Sequence, residues 1–333
     1  MGKLSNEELS KLLKCIGTDP RVIIPPRVGF DSGVHLIDDK YLVVSTDPCV
    51  NVPRDWFGWL LVNYAASDVA LFGAEPEFCT INLLGPPSMK AQTFHHIMKQ
   101  ACQAAHDVEM AIVTGHTGTY YGLSTVVGAC TAYGTVDKSK LITPGGAKPG
   151  DHVFCLKPLG QEVAINLALT RKVLAKKLFG SEKTQKLKEL VPMQSCVREA
   201  LLLAKNCEVH AMHDATEGGL TTALNEIAEA SKVGFRIDFE KIPISDEVQE
   251  LKRNFRLSER QLLSISSTGT ILGAVSPEGK EKVEAMMRQN KVQANDIGIF
   301  TKDTRHILTK NNKSKSFPTV ADDPYARILS EKL

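Results

Sequence analysis

A pair of glycines that joins an apolar strand to an amphipathic helix constrains the fold of this chain more than any other feature. Residues 213–220 read HDATEGGL, and the preceding residues 208–212 can form a short buried strand. In the residues that follow, helical spacing places Leu220, Leu224 and Ile227 on one face. The run therefore predicts a strand–turn–helix unit with carboxylates at its turn.

Such a turn has a functional and a purely structural interpretation. Glycine lets the backbone approach a ligand closely, and the free N–H groups at a helix start attract anions. Acidic groups beside an anion fit a divalent cation that lies between carboxylate and phosphate. The structural alternative is an ordinary turn whose helix is capped by the side chain of Asp214 or Thr216. The run alone leaves both interpretations open.

Length and composition limit the class of protein. At 333 residues the chain exceeds one comfortable core, so two domains are expected. Apolar residues make up 43% and charged residues 23%, which is typical of a soluble globular protein. A net charge of +2 gives no general attraction to nucleic acid or to an anionic membrane, and we expect neither partner.

Cysteine spacing and the absence of long apolar runs indicate a cytoplasmic protein. The eight cysteines never approach the Cys-x-x-Cys spacing of zinc or thioredoxin-type sites. Scattered cysteines of this kind fit reduced, mostly buried thiols. We also expect no signal peptide and no membrane span, because no apolar run has the necessary length.

Strand and helix patterns alternate along the chain, which predicts two units of the α/β or α+β class. In the first part we predict strands at residues 41–46, 78–84, 110–114 and 123–136, and helices at 5–15 (opened by a capping box at Ser5), 55–71 and 88–106. A Pro/Gly-rich segment at 143–151 predicts the boundary between domains 1–146 and 147–333. Beyond it we predict strands at 153–156, 271–275 and 297–301, helices at 162–179, 193–205 and 278–289, and a solvated loop for the basic run 310–315.

Four aspartates stand out by their positions along these predicted elements: Asp31, Asp47, Asp68 and Asp214. Three of them lie where strands give way to loops, whereas Asp68 lies within an apolar helical run. A buried charge without a partner would be costly there. Metal binding would explain it, and exposure to water or pairing with a basic residue is the alternative. Their joint appearance favours a site.

A second glycine-rich stretch, residues 115–122 (GHTGTYYG), follows a predicted strand. Its glycines and threonine hydroxyls could line a phosphate chain, and a structural hairpin turn is the alternative. The chain contains no Walker A sequence, no Rossmann fingerprint, no nucleophile elbow and no His-Glu-x-x-His. Of the nine histidines, His116 and His213 are of interest because they adjoin the glycine stretches.

Taken in order, these motifs resemble those of the aminoimidazole-ribonucleotide-synthetase-like (PurM-like) superfamily. The matching segments are Asp31, 43–47 (VVSTD), 67–76 (SDVALFGAEP), 114–117 (TGHT), 147–151 (AKPGD) and 213–219. The similarity covers nearly the whole chain. It implies an N-terminal α/β domain and a C-terminal α+β domain. In this family, the N-terminal sheets of two subunits pair into the barrel-like core of a homodimer.

The same resemblance implies ATP and Mg²⁺ as cofactors, and Mg²⁺ prefers oxygen ligands and neutralises charge during phosphoryl transfer. By resemblance the metal ligands would be Asp31, Asp47, Asp68 and Asp214. Contacts to the nucleotide or to the substrate would come from Thr117, Gly118, Thr216, Gly218 and Gly219. Catalysis would involve Asp214, Glu217 and His116.

Within the superfamily, the chain is most similar to the hydrogenase maturation branch, through residues 213–219 and the helix after them. Three departures matter. No cysteine follows Cys207 in the chain, so we expect no chemistry on a C-terminal cysteine of the kind found in that branch. His116 stands where the superfamily commonly has an acid, and imidazole is a poor Mg²⁺ ligand. Residues 266–270 (SSTGT) stand where the branch tends to carry an Asn-Glu-Gly run.

These observations predict an ATP- and Mg²⁺-dependent enzyme that phosphorylates an oxygen of a small substrate. Catalysis would come mostly from positioning and charge neutralisation. Two alternatives remain. The first, suggested by the histidine at position 116, is a nucleotide-binding regulatory dimer with reduced catalysis. The second is a thiamine-monophosphate kinase, because the superfamily also includes this enzyme.

Overall fold

The computed structural model describes residue 4, residues 6–206 and residues 208–330. The chain divides into two compact units, an N-terminal unit of Leu13–Leu141 and a C-terminal unit of Met1–Leu12 with Ile142–Leu333. The predicted capping residue Ser5 lies outside the described residues, and the first helix, α1, spans Asn6–Leu13. The functional assignment of domains 1–146 and 147–333 stays a prediction.

The N-terminal unit is built on one six-stranded sheet with strand order β1-β2-β3-β6-β4-β5. Its elements are β1 (Val22–Ile24), β2 (Gly33–Ile37), β3 (Lys40–Val50), α2 (Phe57–Leu71), β4 (Phe78–Gly85), α3 (Ala91–Asp107), β5 (Ala111–Thr119) and β6 (Val127–Asp137). Strands β4 and β5 are parallel and are joined through α3, whereas the other pairs are antiparallel. The central pair, β3 and β6, is in register over eleven residues, from Lys40 opposite Asp137 to Val50 opposite Val127.

Helix α2 forms the centre of the N-terminal core, as its apolar run predicts. Nearly all of its residues are buried, and it packs against α3, β3 and β6. The approach to α3 is close because residue 58 is glycine: a Cβ atom there would lie 2.0 Å from the carbonyl oxygen of Ile97. The predicted stop at Gly73 is confirmed, since this residue adopts a φ of 80° just after the helix ends.

The two faces of the N-terminal sheet differ in burial. Along β6, every second residue from Gly128 to Val136 is buried on the helix-covered face, and the residues between them are half-buried on the other. This second face also carries Ile37, Val50 and Phe78, each at least 40% exposed. Alternation of this kind is expected for a sheet with one covered face. The second face of the sheet is therefore apolar and accessible in the single chain.

The C-terminal unit is built on a seven-stranded sheet of order β13-β12-β9-β11-β7-β10-β8. Its strands are β7 (His152–Leu156), β8 (Val209–Ala215), β9 (Gly234–Asp238), β10 (Ser267–Val275), β11 (Ala294–Thr301), β12 (His306–Lys310) and β13 (Lys313–Ser316). Its helices are α4 (Gln161–Thr170), α5 (Lys172–Phe179), α6 (Ser181–Glu189), α7 (Val197–Ala204), α8 (Gly219–Ser231), α9 (Asp246–Asn254), α10 (Glu259–Leu263), α11 (Lys280–Gln289) and α12 (Tyr325–Ser330). All pairs are antiparallel except β9 with β12.

Two predicted helices of this unit are wrong in their extent. The helix predicted at 162–179 is two helices, because the chain leaves helical geometry at Arg171 (φ −122°, ψ 52°). Just before the break, the Thr170 hydroxyl donates to the carbonyl of Asn166 at 2.6 Å, a contact that competes with regular helix bonding. The helix predicted at 193–205 is a 3-10 turn, Val191–Gln194, followed by α7.

Two predicted loops are also wrong. The glycine-rich stretch 115–122 is not a hairpin turn: β5 continues through Thr119, and β6 pairs with β4 and β3 instead of β5. The basic run 310–315 belongs to the hairpin of β12 and β13, where both Lys310 and Lys315 form ion pairs with Glu259. Pairing with β4 extends the first segment, and local pairing of β12 with β13 extends the second, although the composition of both is polar.

Five of the seven described cysteines are buried, as the sequence predicts. The two exposed ones are Cys15 and Cys102. Burial raises the pKa of the Cys155 thiol to about 12, so this group stays protonated at neutral pH. Within the described residues we find no helix that is long and apolar enough to cross a membrane.

Candidate functional site

The N-terminal unit brings Asp68 and Asp47 to the helix-covered face of its sheet. Asp68 lies on α2 and is only 6% exposed, and its Oδ2 accepts a hydrogen bond from the Ser45 hydroxyl at 2.7 Å. Asp47 follows Ser45 by two residues on β3, so both side chains lie on one face. Asp47 also raises the pKa of the neighbouring thiol of Cys49, although burial is the larger cause. Two carboxylates and a hydroxyl thus share one part of the unit.

Asp31 lies in the same unit, two residues before β2. Strand β2 enters the sheet with Gly33 opposite Val44, so the chain reaches β3 close to Ser45. Asp31 is half-buried, and the next residue, Ser32, is 3% exposed. The Ser32 Oγ is one of the few buried side-chain oxygens among the described residues that lack a hydrogen-bond partner. A buried oxygen of this kind fits an added ligand or water.

The stretch that carries His116, Thr117 and Gly118 lies on β5, an edge strand of the N-terminal sheet. His116 is opposite Asn82 of β4, which places it on the accessible face and not on the face that carries Asp47. Its Nε2 lies 2.5 Å from the Tyr120 hydroxyl, and the side chain is exposed. The predicted roles of His116, Thr117 and Gly118 stay predictions.

In the C-terminal unit, β8 ends in a buried His213 and a buried Asp214. The His213 ring is held from two sides: Nε2 lies 2.9 Å from Glu226 Oε2, and Nδ1 lies 2.9 Å from the carbonyl oxygen of Asp214. The same Nδ1 lies 3.6 Å from Asp214 Oδ1. Since Glu226 is on α8, these contacts tie the end of the strand to the helix that follows the turn.

The glycine pair at the turn is required by backbone conformation and by packing. Gly218 and Gly219 have φ values of 81° and 56°, which disfavour other residues. A Cβ at Gly218 would lie 2.1 Å from Thr222 Oγ1, and one at Gly219 would lie 2.5 Å from the carbonyl oxygen of Ile265. Close packing within the chain therefore accounts for both glycines, whatever ligand the turn binds.

The start of α8 is capped by a residue that the sequence did not indicate. The structural alternative, in which Asp214 or Thr216 caps the helix, is wrong: the N-cap is Gly218, which has no side chain to offer. Its N–H donates to Asp323 Oδ2 at 3.1 Å, and the N–H of Gly219 donates to the carbonyl of Thr216 at 2.9 Å. These two amides are thus already bonded inside the chain. An anion at this turn would have to compete with the Asp323 carboxylate.

Asp323 also forms hydrogen bonds with residues outside the turn before α8. Its carboxylate accepts hydrogen bonds from the Ser266 hydroxyl at 2.6 Å, the Ser266 N–H at 3.3 Å and the Tyr325 N–H at 2.9 Å. Charge-assisted bonds of this kind are the stronger ones in proteins. The C-terminal segment is therefore fastened to the turn before α8.

A buried acid that the sequence analysis did not single out, Glu162, lies near this segment. It is on α4, and its Oε2 accepts a hydrogen bond from the Thr268 N–H at 2.9 Å. Burial raises the pKa of Glu162 to about 7; the Thr268 bonds lower it, and the charges of Asp323 and Glu217 raise it further. The sequence signal that drew attention to Asp68 does not apply to Glu162, because Glu162 lies in the first turn of α4, where acids are common.

The residues of the N-terminal unit fit Mg²⁺ by their chemistry. Mg²⁺ takes carboxylate and hydroxyl oxygens, and Asp47, Asp68 and Ser45 offer both within one part of the unit. A hydrogen bond that orients a ligating carboxylate is the usual support for such a ligand. When bound, the ion would supply charge neutralisation to a phosphate group. Asp68 would hold it, and Ser45 would fix the orientation of the Asp68 carboxylate.

Comparison with known proteins identifies the class. The models of two protein families match this chain: the N-terminal domain of AIR synthase related proteins over residues 29–136, and their C-terminal domain over residues 148–311. Together the two matches cover most of the 333 residues. The chain belongs to the AIR synthase-related (PurM-like) family, and the two-domain fold predicted from the resemblance is confirmed.

Its relatives include a hydrogenase expression/formation protein, a carbamoyl dehydratase and a selenide, water dikinase. A candidate hydrogenase expression/formation protein of Methanocaldococcus jannaschii is 29% identical over 284 residues, which are 84% of this chain and 81% of that protein. The carbamoyl dehydratase HypE of Rhizobium leguminosarum is 25% identical, with coverage of 86% and 79%. The selenide, water dikinase of Carboxydothermus hydrogenoformans is 26% identical, with coverage of 92% and 95%.

Solved structures show the same fold at lower identity. The crystal structure of HypE from E. coli superimposes with a TM-score of 0.75 at 21% identity and covers 97% of this chain and 99% of that one. The structure of AaThiL complexed with AMPPCP and TMP superimposes with a TM-score of 0.71 at 17% identity, with 92% of each chain covered. At such identities the likeness establishes the fold alone.

Proposed function

We propose that this protein is an ATP- and Mg²⁺-dependent enzyme that transfers a phosphoryl group to an oxygen of a small substrate. The observation that carries the proposal is the buried Asp68 carboxylate, held by Ser45 on the face that also carries Asp47. A charged carboxylate buried in an apolar helix is costly unless its charge is compensated, and a bound cation would compensate it.

The relatives support the same class of reaction. Selenide, water dikinase is by its name a phosphotransferase, and AMPPCP in the AaThiL complex is an analogue of ATP. In phosphoryl transfer, catalysis comes mainly from positioning and from neutralising charge on the phosphates, so no protein nucleophile is needed. This agrees with a chain in which we find no nucleophile elbow.

We assign the proposed roles by unit. In the N-terminal unit, Asp31, Asp47 and Asp68 are the proposed Mg²⁺ ligands, with Thr117 and Gly118 near the nucleotide. In the C-terminal unit, Asp214 is a proposed metal ligand, and Glu217 and the turn at 216–219 face the substrate. We favour the substrate over the triphosphate at this turn, because Asp323 already occupies the Gly218 amide.

The test is ATP binding by calorimetry with and without Mg²⁺, together with ADP release in the presence of candidate metabolites. Asp68→Asn should weaken Mg²⁺-dependent ATP binding by at least about tenfold, and Ser45→Ala should weaken it by roughly tenfold through the loss of orientation. Asp39→Asn, which removes an exposed acid from the turn between β2 and β3, is the matched control and should bind as the parent does.

Full ATP binding and turnover in Asp68→Asn would contradict the metal role. Thiamine monophosphate belongs among the substrates tested, because its phosphorylation would identify a thiamine-monophosphate kinase. A nucleotide-binding dimer with reduced catalysis is favoured by one observation: imidazole, a poor Mg²⁺ ligand, occupies position 116 on the accessible face of the sheet. Tight ATP binding without product, and ATPase activity gained in His116→Asp, would support that alternative.

We also propose a cytoplasmic homodimer that pairs the accessible faces of two N-terminal sheets. Ile37, Val50 and Phe78 are exposed on this face, and apolar surface of this kind marks an interaction site. Ala129→Arg, in the middle of β6, should turn the dimer into a monomer in light scattering. Ala91→Arg, on the exposed start of α3, is the control and should leave the mass unchanged. A monomeric parent protein would refute this pairing.

A further inference from the structure

A cluster of polar side chains lies inside the C-terminal unit around the buried Glu162. Glu162 and Asn166 are four residues apart on α4 and therefore lie on the same side of the helix. The Asn166 Nδ2 donates to the Tyr325 hydroxyl at 3.0 Å, and the Gln194 Nε2 donates to Asn166 Oδ1 at 3.3 Å. We call these four residues, together with Asp323, the Glu162 cluster.

The elements around the cluster hold it from three sides. The Thr268 N–H binds Glu162, and the next residue, Gly269, has a φ of 91°. A Cβ at Gly269 would lie 2.1 Å from the carbonyl oxygen of Met193 and 2.9 Å from the Cα of Gln194. Gln194 thus lies between the start of β10, which binds Glu162, and the side chain of Asn166. Its amide faces the cluster.

One hydrogen-bond acceptor of the cluster lacks a donor among the described residues. Gln194 is 1% exposed, and its Oε1 has no hydrogen-bond partner among the described residues. The charges that act on Glu162 are those of Asp323 and Glu217, both negative. Burial raises the pKa of the Tyr325 hydroxyl, and the charges of Glu162, Asp323 and Glu217 raise it further. A buried acceptor without a donor is costly, so a ligand that brings donors would relieve the imbalance.

We propose that the Glu162 cluster binds the nitrogen-bearing end of the substrate, an amine or a primary amide whose N–H groups donate to Glu162 and to Gln194 Oε1. This inference rests on the proposed function, because it names the class of substrate that would meet the phosphoryl group. A phosphate or carboxylate end is disfavoured here by the surrounding negative charge. Glu162 is a positioning residue for the substrate and takes no part in bond making.

The test uses four fragments of one shape: benzylamine, benzamide, benzoate and benzyl alcohol. Their dissociation constants are measured by ligand-observed NMR titration on the intact protein. The two nitrogen fragments should bind more tightly than benzoate and benzyl alcohol. Glu162→Gln should weaken benzylamine binding by at least about tenfold, or about 1.4 kcal/mol, because the ammonium group loses a charged acceptor. Glu229→Gln, which removes an exposed acid on α8, should leave its binding unchanged.

A second variant tests the other proposed acceptor, Gln194 Oε1. Gln194→Met retains the volume but removes the free acceptor, and it should weaken benzamide binding. Benzoate binding as tightly as benzylamine, absence of binding by either nitrogen fragment, or equal benzylamine affinity in Glu162→Gln would each overturn the proposal. Displacement of benzylamine by Mg²⁺ alone would overturn it in favour of a metal site. ATP calorimetry on the same samples separates the two ideas, since lost ATP binding with retained amine preference refutes only the proposed function.

Discussion

Replacing Glu162 by glutamine should stabilise the C-terminal unit at neutral and alkaline pH and have little effect in acid. In the folded chain this carboxyl has a pKa of about 7, raised above its ordinary value of 4.5 chiefly by burial. A group whose folded pKa is raised binds its proton more tightly in the folded state. The free energy of unfolding therefore falls as pH rises between about 4.5 and about 7, and it is level above this window.

The size of the effect follows from the same two values. A rise from 4.5 to about 7 corresponds to about 3 kcal/mol, at 1.36 kcal/mol for each pKa unit. Glutamine has the same shape, can accept the Thr268 N–H bond and carries no charge at any pH. The difference in stability between Glu162→Gln and the parent should therefore grow by about 3 kcal/mol from about pH 4.5 to about pH 8.

The assay is urea unfolding across that pH range, followed by two signals. Both tryptophans, Trp56 and Trp59, lie in the N-terminal unit, so their fluorescence reports that unit and should not respond to the substitution. Far-ultraviolet circular dichroism reports both units and should show the shift. Glu229→Gln is the matched control. A stability difference that does not change with pH, or a variant less stable than the parent at about pH 8, would refute the reasoning.

Three further predictions concern packing and capping. Asp323→Asn should lower the free energy of unfolding of the C-terminal unit by about 1–2 kcal/mol in urea, because a charged acceptor at the turn is lost, while the exposed neighbour Asp322→Asn should be silent. Gly134→Ala would bring a Cβ to 1.8 Å from the carbonyl oxygen of Glu75 and should destabilise the N-terminal unit by at least about 2 kcal/mol by tryptophan fluorescence. In the same sheet Gly33→Ala, whose Cβ would lie 3.5 Å from Ile24, should change it by no more than about 0.5 kcal/mol; equal effects would contradict the packing argument. Ser258→Ala breaks the capping box of α10 and should cost about 1 kcal/mol in urea unfolding, and no change would show that the cap is dispensable.

The sequence predicts those parts of the fold in which short-range signals and the core agree. Helix α2 has a long apolar run and a glycine stop, and the structure confirms both. The face of α8 that carries Leu220, Leu224 and Ile227 is buried as its spacing predicts. Segments whose conformation depends on distant partners are less predictable: β5 extends through a glycine-rich stretch because β4 lies beside it.

The candidate site shows the same division. Asp68 is predictable because a charge in an apolar helix stands out in the sequence. Glu162 does not stand out, because it lies in the first turn of its helix, where acids are common. No local sequence pattern points to Asp323, because its hydrogen bonds are to Gly218 and Ser266, which are far away along the chain. The alternative in which Asp214 or Thr216 caps α8 is wrong for this reason. Local caps are common, but here a residue from another part of the chain supplies the acceptor.

The bond between Gly218 and Asp323 spans 105 residues of sequence, which bears on the order in which the protein can be made. At roughly 5–20 residues per second, the ribosome needs about 5–20 seconds to go from one codon to the other. During that interval the nascent turn before α8 has no carboxylate to close it. The C-terminal unit would therefore mature only after Asp323 has left the ribosome, and slow translation between the two codons would prolong its open state.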